Sequence, residues 1–165
     1  MWTMEHRVRL QNDEIPGEVV DFTVIDHMDE WSGLDHWEQK VRDVGFQAMR
    51  RMVAGGLLLR EHALLRTWTH LDDDCHLVRR GRIPVELTST VGKVRVDRQR
   101  LFCKRCREWI TPLNEELDLH GHGNGRLTRS FREMACECGS SQPYRQAQRM
   151  LGRITHDASV TSAKQ

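Results

Sequence analysis

The stretch VGKVRVDRQRLFCKRC, residues 91–106, joins a strand pattern to two closely spaced cysteines. Val94 and Val96 alternate with charged residues, which is typical of a half-buried strand. Cys103 and Cys106 follow with the spacing that lets one tight turn supply two ligands to a tetrahedral metal ion. The stretch therefore predicts a strand that ends in a metal-binding turn, with two coordination positions left for ligands from elsewhere.

The residues around this stretch extend the pattern to a small sheet. Ile83, Val85 and Leu87 alternate with other residues before a turn at residues 91–93, so a β-hairpin is expected over about residues 82–101. Two short apolar pairs, Trp109-Ile110 and Pro112-Leu113, are expected to form a strand that closes the unit. Hairpin, cysteine turn and closing strand in this order predict a zinc ribbon.

The remaining zinc ligands are expected in the segment that precedes the hairpin. Cys75 and His76 are the candidates, with His70 as a substitute for His76. A ribbon held by packing without metal is the alternative. Cys136 and Cys138 lie on a predicted helix, where a two-residue step sends side chains to different faces, so they are not expected to chelate one ion together.

Length and composition favour a soluble, cytoplasmic protein. The chain has 165 residues, of which 38% are hydrophobic, enough for one core or two small ones. Its first residues, MWTMEHRVRL, lack the apolar stretch of a signal peptide, and no run of residues approaches the length of a membrane span. Five cysteines, an odd number, fit reduced thiols better than a disulfide framework.

The small net charge hides a division along the chain. Residues 1–75 carry 8 Lys and Arg against 15 Asp and Glu, whereas residues 76–165 carry 17 against 9, giving −7 and +8. The basic C-terminal half is expected to bind a polyanion. The alternative is that the acidic and basic parts of the chain only face each other across an interface. The candidate DNA-binding residues are Arg95, Arg98, Arg100, Lys104, Arg105, Arg129, Arg145 and Arg149.

The acidic half predicts a strand and a long helix. Alternation over residues 18–27 indicates a strand after the Pro16-Gly17 turn, and a helix is expected over about residues 34–66, with Ser32 in a capping box. Gly55 and Gly56 each weaken the helix by about 1 kcal/mol relative to alanine, so a bend or a break is expected there. The helix packs within its own domain or forms the seam of a homodimer.

The last forty residues predict two helices and the start of a third after Ser159. One apolar stripe contains Leu127, Phe131, Met134, Ala135 and Cys138, and the next contains Tyr144, Ala147, Met150, Leu151 and Ile154. Two helices joined by a tight turn are compatible with a helix-turn-helix unit that binds DNA. A plain helical bundle with a basic surface is the alternative.

Taken together, these patterns predict an α+β fold in three parts. Residues 1–70 form an acidic strand and long helix, residues 71–118 form a zinc-ribbon-like β unit, and residues 119–165 form a helical, helix-turn-helix-like segment that is expected to be incomplete.

The order of these motifs resembles the N-terminal region of insertion-sequence transposases of the ISKra group. The resemblance rests on a T-x-x-G-x-V-x-x-x-R run, carried by Gly92, Val94 and Arg98 with Thr88 or Thr90, and on the cysteine turn. Further matches fall at Pro112-Leu113, Leu117, Leu119, Ala135, Pro143-Tyr144, Ala147 and Leu151. Most of residues 31–163 are covered, although the second cysteine pair usual in the family is reduced here to Cys75 and nearby histidines.

The resemblance implies a DNA-binding part whose partner is a transposon end. It also implies that the family's RNase H-like catalytic core would lie beyond residue 165. No phosphate-binding glycine loop, nucleophile elbow or H-E-x-x-H pair occurs in the sequence, so the chain is not expected to be an enzyme. Three hypotheses remain: a DNA-binding transposase fragment, a stand-alone protein-interaction module derived from one, and a catalytic subunit completed by another chain.

Overall fold

The computed structural model describes residues 2–11, 13, 17–28, 33–67, 75–117 and 126–157, and it has an α+β fold, as predicted. In chain order, the strands and helices are β1 (Trp2–Gln11), β2 (Val19–Met28), α1 (Leu34–Thr67), β3 (Leu77–Ser89), β4 (Gly92–Cys103), β5 (Trp109–Ile110), α2 (Pro112–Glu116), β6 (Arg126–Leu127), α3 (Arg129–Ser141) and α4 (Tyr144–Ile154). Among these helices, none combines the length and the apolar character needed to cross a membrane.

The N-terminal hairpin has one strand that the sequence did not predict. β2 confirms the expected strand, but β1 pairs with it antiparallel from Trp2↔Met28 to Gln11↔Val19. Most side chains of β1 are exposed, and only Met4, Val8 and Leu10 are partly buried. These three residues and Trp2 alternate with polar residues, which is the period of a strand with one face against the protein.

The second sheet contains the predicted hairpin. Its strand order is β5-β4-β3-β6, with β3 and β4 antiparallel, and β5 confirms the expected closing strand at Trp109 and Ile110. Pro112 and Leu113 were expected in that strand, and this was wrong because they begin α2. Proline at the first helical position lacks only an N–H group that a helix start leaves unpaired anyway.

Helix α1 packs against both sheets and joins them. Val44 and Ala48 bury against Val24 of β2, whereas Leu64 belongs to the same buried cluster as β3 and β4. That second cluster consists of Leu64, Val85, Leu87, Val94, Val96 and Leu113. The predicted first and second parts of the chain therefore share a core through this one helix.

Gly55 lies where α1 touches the N-terminal hairpin. The helix is continuous through Gly55 and Gly56, without the break considered from the sequence. A Cβ atom at Gly55 would lie 2.9 Å from Leu10 Cδ1 and 2.9 Å from Val20 Cγ1, whereas one at Gly56 would meet nothing within 4 Å. Gly55 thus permits close packing of α1 on the N-terminal hairpin, whereas a side chain at Gly56 would not disturb that packing.

We predict opposite effects for alanine at these two neighbouring positions. Gly56→Ala should raise the free energy of unfolding by about 0.5–1 kcal/mol, since it removes backbone entropy from the unfolded chain. Gly55→Ala gains the same entropic stabilisation, but overpacking should lower its free energy of unfolding by about 1–3 kcal/mol, because the β-branched Val20 has little freedom to move. Urea denaturation of both variants measures the difference, and equal shifts in one direction would show that the contact is absent.

A β-bulge in the ribbon hairpin is stabilised by a buried carboxylate. The register shifts between Arg79 and Arg82, where Gly81 has φ +84°, so one extra residue enters β3. Glu61 of α1 is 1% exposed, and its Oε1 accepts a 2.6 Å hydrogen bond from the Gln99 N–H beside the bulge. Its other oxygen accepts a hydrogen bond from Arg82, so α1 fixes the distorted part of the hairpin.

The two C-terminal helices are confirmed, but only part of their predicted apolar stripes is buried. Thr128 caps α3, accepting a hydrogen bond from the Phe131 N–H, and Phe131, Cys138 and Ala147 are buried. Cys136 is exposed, which confirms that it and Cys138 lie on different faces. Four stripe residues were expected to pack inside, and this was wrong because they are 41%, 73%, 39% and 40% exposed: Leu127, Tyr144, Met150 and Ile154. The predicted third helix lies outside the described residues.

The end of α4 is held against the rest of the protein. The His156 ring stacks on Phe46 of α1 with centroids 5.2 Å apart and also contacts Asp43. Asp157 Oδ2 accepts a 3.0 Å hydrogen bond from the Lys93 N–H at the β3–β4 turn. The C-terminal helices are thereby connected both to α1 and to the ribbon hairpin.

Candidate metal centre and basic surface

Strand register brings three cysteines together. The pairing Leu77↔Cys103 places the residues before β3 against the turn that follows β4. Cys75 therefore lies beside the turn that carries Cys103 and Cys106, which we call the knuckle. The three sulfur atoms lie within 4.8 Å of one another, and Cys103 is completely buried.

The sulfur positions suit a tetrahedral ion. Cys75 Sγ lies 3.7 Å from Cys106 Sγ. Two ligands about 2.3 Å from a tetrahedral zinc ion would be separated by about 3.8 Å, so this pair needs almost no adjustment. The separation is also far longer than the ~2.05 Å of a disulfide bond. Three thiols in this arrangement could hold one metal ion, with a fourth position open to another ligand.

Backbone hydrogen bonds shape the knuckle. The Cys106 N–H donates to Cys103 Sγ at 3.5 Å, the Cys103 N–H donates to Glu108 O at 3.0 Å, and the Lys104 N–H donates to His76 O at 3.1 Å. Arg107 completes the turn with φ 59°, a left-handed conformation that is uncommon for a residue with a side chain. The turn is therefore fixed by its own backbone and by the segment that carries Cys75.

The three thiols differ in their affinity for protons. The hydrogen bond from the Cys106 N–H is the main cause that holds the pKa of the Cys103 thiol below its ordinary value. The neighbouring sulfur of Cys75, followed by that of Cys103, raises the pKa of Cys106 to about 12. A metal ion must displace this proton, because the thiolate is the ligand, so its affinity falls as the pH is lowered.

The predicted histidine ligands have different outcomes. His76 is exposed and does not belong to the group of three sulfur atoms, although its backbone supports the knuckle. Adjacent residues of an extended chain point to opposite sides, so Cys75 and His76 cannot readily face one ion. His70 lies outside the described residues. The structure therefore brings together Cys75, Cys103 and Cys106 of the predicted ligand set.

Basic side chains surround the cysteine cluster. Lys104, Arg105 and Arg107 of the knuckle are exposed, and Arg100 lies over the Trp109 ring with its guanidinium carbon 3.7 Å from the ring centroid. An arginine stacked on an aromatic ring retains free N–H groups for an anion. Arg107 and Trp109 were not predicted as functional residues, although their position within three residues of C-K-R-C was a usable signal.

The other predicted DNA-binding residues divide by exposure. Arg95, Arg129, Arg145 and Arg149 are exposed, and Arg129 forms an ion pair with Glu133 at 2.9 Å. Arg145, Arg149 and Arg153 follow one another at four-residue steps along α4, on the side opposite the buried Ala147. Arg98 was expected at the surface, and this was wrong because it is only 4% exposed and its side chain bonds to Asn114.

The chain was also compared with known proteins. No protein-family model, no curated protein and no solved structure matches it. The conclusions about this site therefore rest on its own residues and their geometry.

Proposed function

We propose that this chain is a zinc-containing, DNA-binding segment from the N-terminal part of an insertion-sequence transposase. The observation that carries the proposal is the convergence of Cys75, Cys103 and Cys106 beneath a turn whose exposed side chains are mostly basic. A metal at the cluster fixes the turn, and the turn presents its cations to an anionic partner.

Zinc is the metal that this ligand set favours. All three donors are thiols, and soft sulfur ligands favour zinc over magnesium or calcium, which prefer oxygen. The site is placed where two strands end, so binding also ties β3 to β4. When bound, zinc supplies structural crosslinking.

Two basic surfaces suit contact with DNA phosphates. One is the knuckle with Arg100, and the other is the outer face of α4 with Arg145 and Arg149. Helices α3 and α4 are separated only by Gln142 and Pro143, which is compatible with a helix-turn-helix arrangement. Such contacts position a protein on duplex DNA without reading its sequence.

We predict that DNA binding is salt-dependent and uses both surfaces. Lys104→Gln on the knuckle and Arg149→Gln on α4 should each weaken binding and reduce the slope of log affinity against log salt by about 0.9, the value for one phosphate contact. Arg42→Gln removes an exposed charge from the acidic half and should change neither quantity. Electrophoretic titrations at several salt concentrations measure both. Absence of binding to duplex DNA at low salt would reject the proposal and favour a protein-interaction module.

The outer face of α1 supports a second part of the proposal, a homodimer. Leu34, Val41, Met49 and Met52 lie along one side of the helix, and each is at least 37% exposed. A second copy of the chain would cover this stripe. We expect Met52→Lys to lower the dimer fraction in sedimentation-velocity experiments, whereas Arg42→Gln should not, and a monomer at all concentrations would contradict this part.

A further inference from the structure

Two arginine side chains converge on a single uncharged group beside the ribbon. Arg98 of β4 and Arg126 of β6 both donate hydrogen bonds to Asn114 Oδ1 of α2, the second at 3.3 Å. Arg98 is 4% exposed, whereas Arg126 is partly exposed. The pair therefore reaches from the buried interior of the sheet to the protein surface.

Arg98 also has a donor that remains unused. Its Nε is completely buried and forms no hydrogen bond. A guanidinium offers five N–H groups in a fixed plane, and leaving one of them buried without an acceptor is costly. Burial lowers the pKa of Arg98, and the positive charge of Arg126 lowers it further. Glu61 opposes these two effects, so among the described residues the charge of Arg98 is only partly compensated.

No carboxylate of the described residues forms an ion pair with Arg98 or Arg126. Glu61 is close enough to act on Arg98 through space, but its two oxygens accept hydrogen bonds from Arg82 and from the Gln99 N–H. Asn114 supplies an acceptor without charge. Two buried or half-buried positive charges around one neutral oxygen are the arrangement expected of an oxyanion site before its ligand is bound.

We infer that Arg98, Arg126 and Asn114 form a binding site for a phosphate oxyanion. The planar donors of the two guanidinium groups match the oxygens of a phosphate group, and the amide N–H₂ of Asn114 supplies a further donor. The ligand enters from the Arg126 side, because that side chain alone of the two reaches solvent. The inference does not depend on the proposed function, since free phosphate and a phosphodiester share this chemistry.

The test compares thermal unfolding of the full chain in phosphate and in chloride at equal ionic strength. We expect phosphate to raise the melting temperature of the unaltered protein. Arg126→Gln should weaken the apparent phosphate affinity by about tenfold or more, because it removes one charged partner. Arg42→Gln removes an exposed charge of α1, outside both proposed DNA-binding surfaces, and should leave the affinity unchanged. A dinucleotide with one phosphodiester, tested in parallel, separates a nucleic-acid source from free phosphate.

Asn114→Asp provides a second test that does not depend on the fold tolerating loss of an arginine. Aspartate has nearly the same shape but supplies the missing negative charge, so the variant should melt at a higher temperature without phosphate and should no longer respond to phosphate. Equal melting temperatures in phosphate and chloride for the unaltered protein would overturn the inference. The charges of Arg98 and Arg126 would then be compensated by water or by other groups of the chain. Such a result would not affect the DNA-binding tests at Lys104 and Arg149.

Discussion

Cys103→Ser should release the metal from the purified protein and lower its melting temperature by roughly 10 °C. Cys103 is completely buried at the end of β4, and its sulfur contacts both other parts of the cluster. A serine hydroxyl is a poor zinc ligand, so the ion would lose its most enclosed donor. Elemental analysis should find about one zinc ion per chain in the unaltered protein and almost none in the variant.

Cys136→Ser is the matched control for this experiment. Cys136 is an exposed free cysteine on α3 and is not part of the cluster, so its replacement should preserve both metal content and melting temperature. Cys106→Ser should behave like Cys103→Ser. Zinc absent from unaltered protein never exposed to chelator, or retained in both knuckle variants, would reject the metal centre.

Glu61→Ala should lower the free energy of unfolding by about 3 kcal/mol. The side chain is 1% exposed, and its removal leaves the Gln99 N–H without an acceptor next to the bulge at Gly81. Arg82 loses its ion-pair partner as well, although its 39% exposed side chain can turn toward water. Denaturant unfolding of the variant measures the loss, and amide exchange should increase first around Gln99.

Glu116→Ala provides the comparison for Glu61→Ala. Glu116 pairs with Arg60 at the surface, where the two side chains are 34% and 46% exposed. Removal of an exposed pair costs about 0–1 kcal/mol, because water replaces the lost partner. Equal losses in the two variants would mean that the buried carboxylate does not stabilise the bulge.

The periodic parts of the fold were predictable from the sequence. Strands β2 and β4 alternate, and the stripe of α3 recurs at helical spacing, so each was assigned correctly. β1 was not predicted, although Trp2, Met4, Val8 and Leu10 alternate with polar residues at the period of a strand. Pro112 was assigned to a strand because short apolar pairs have no period, and proline is compatible with both a strand edge and a helix start.

Of the candidate metal site, only the two ligands that are close in sequence could be predicted from local spacing. The spacing of Cys103 and Cys106 identifies the knuckle, because both ligands come from one turn. Cys75 and His76 were both predicted as ligands, but which of them faces the knuckle follows from the register Leu77↔Cys103, which no local pattern specifies. Arg98 was selected as a surface cation for its charge, although it alternates with Val94 and Val96, which the structure buries. Its position opposite Ile83 instead places it on the buried face.

Asp157 couples the end of α4 to the turn between β3 and β4, and β4 leads directly into the knuckle. His156 adds a second attachment to α1. The arginine-bearing helix and the cysteine turn are therefore expected to move as a single body rather than as independently tethered modules. A DNA duplex that contacts both would have to place its phosphates at one fixed spacing. Inserting a base pair between the two contacts should therefore weaken binding, even if neither contact depends on the identity of the bases.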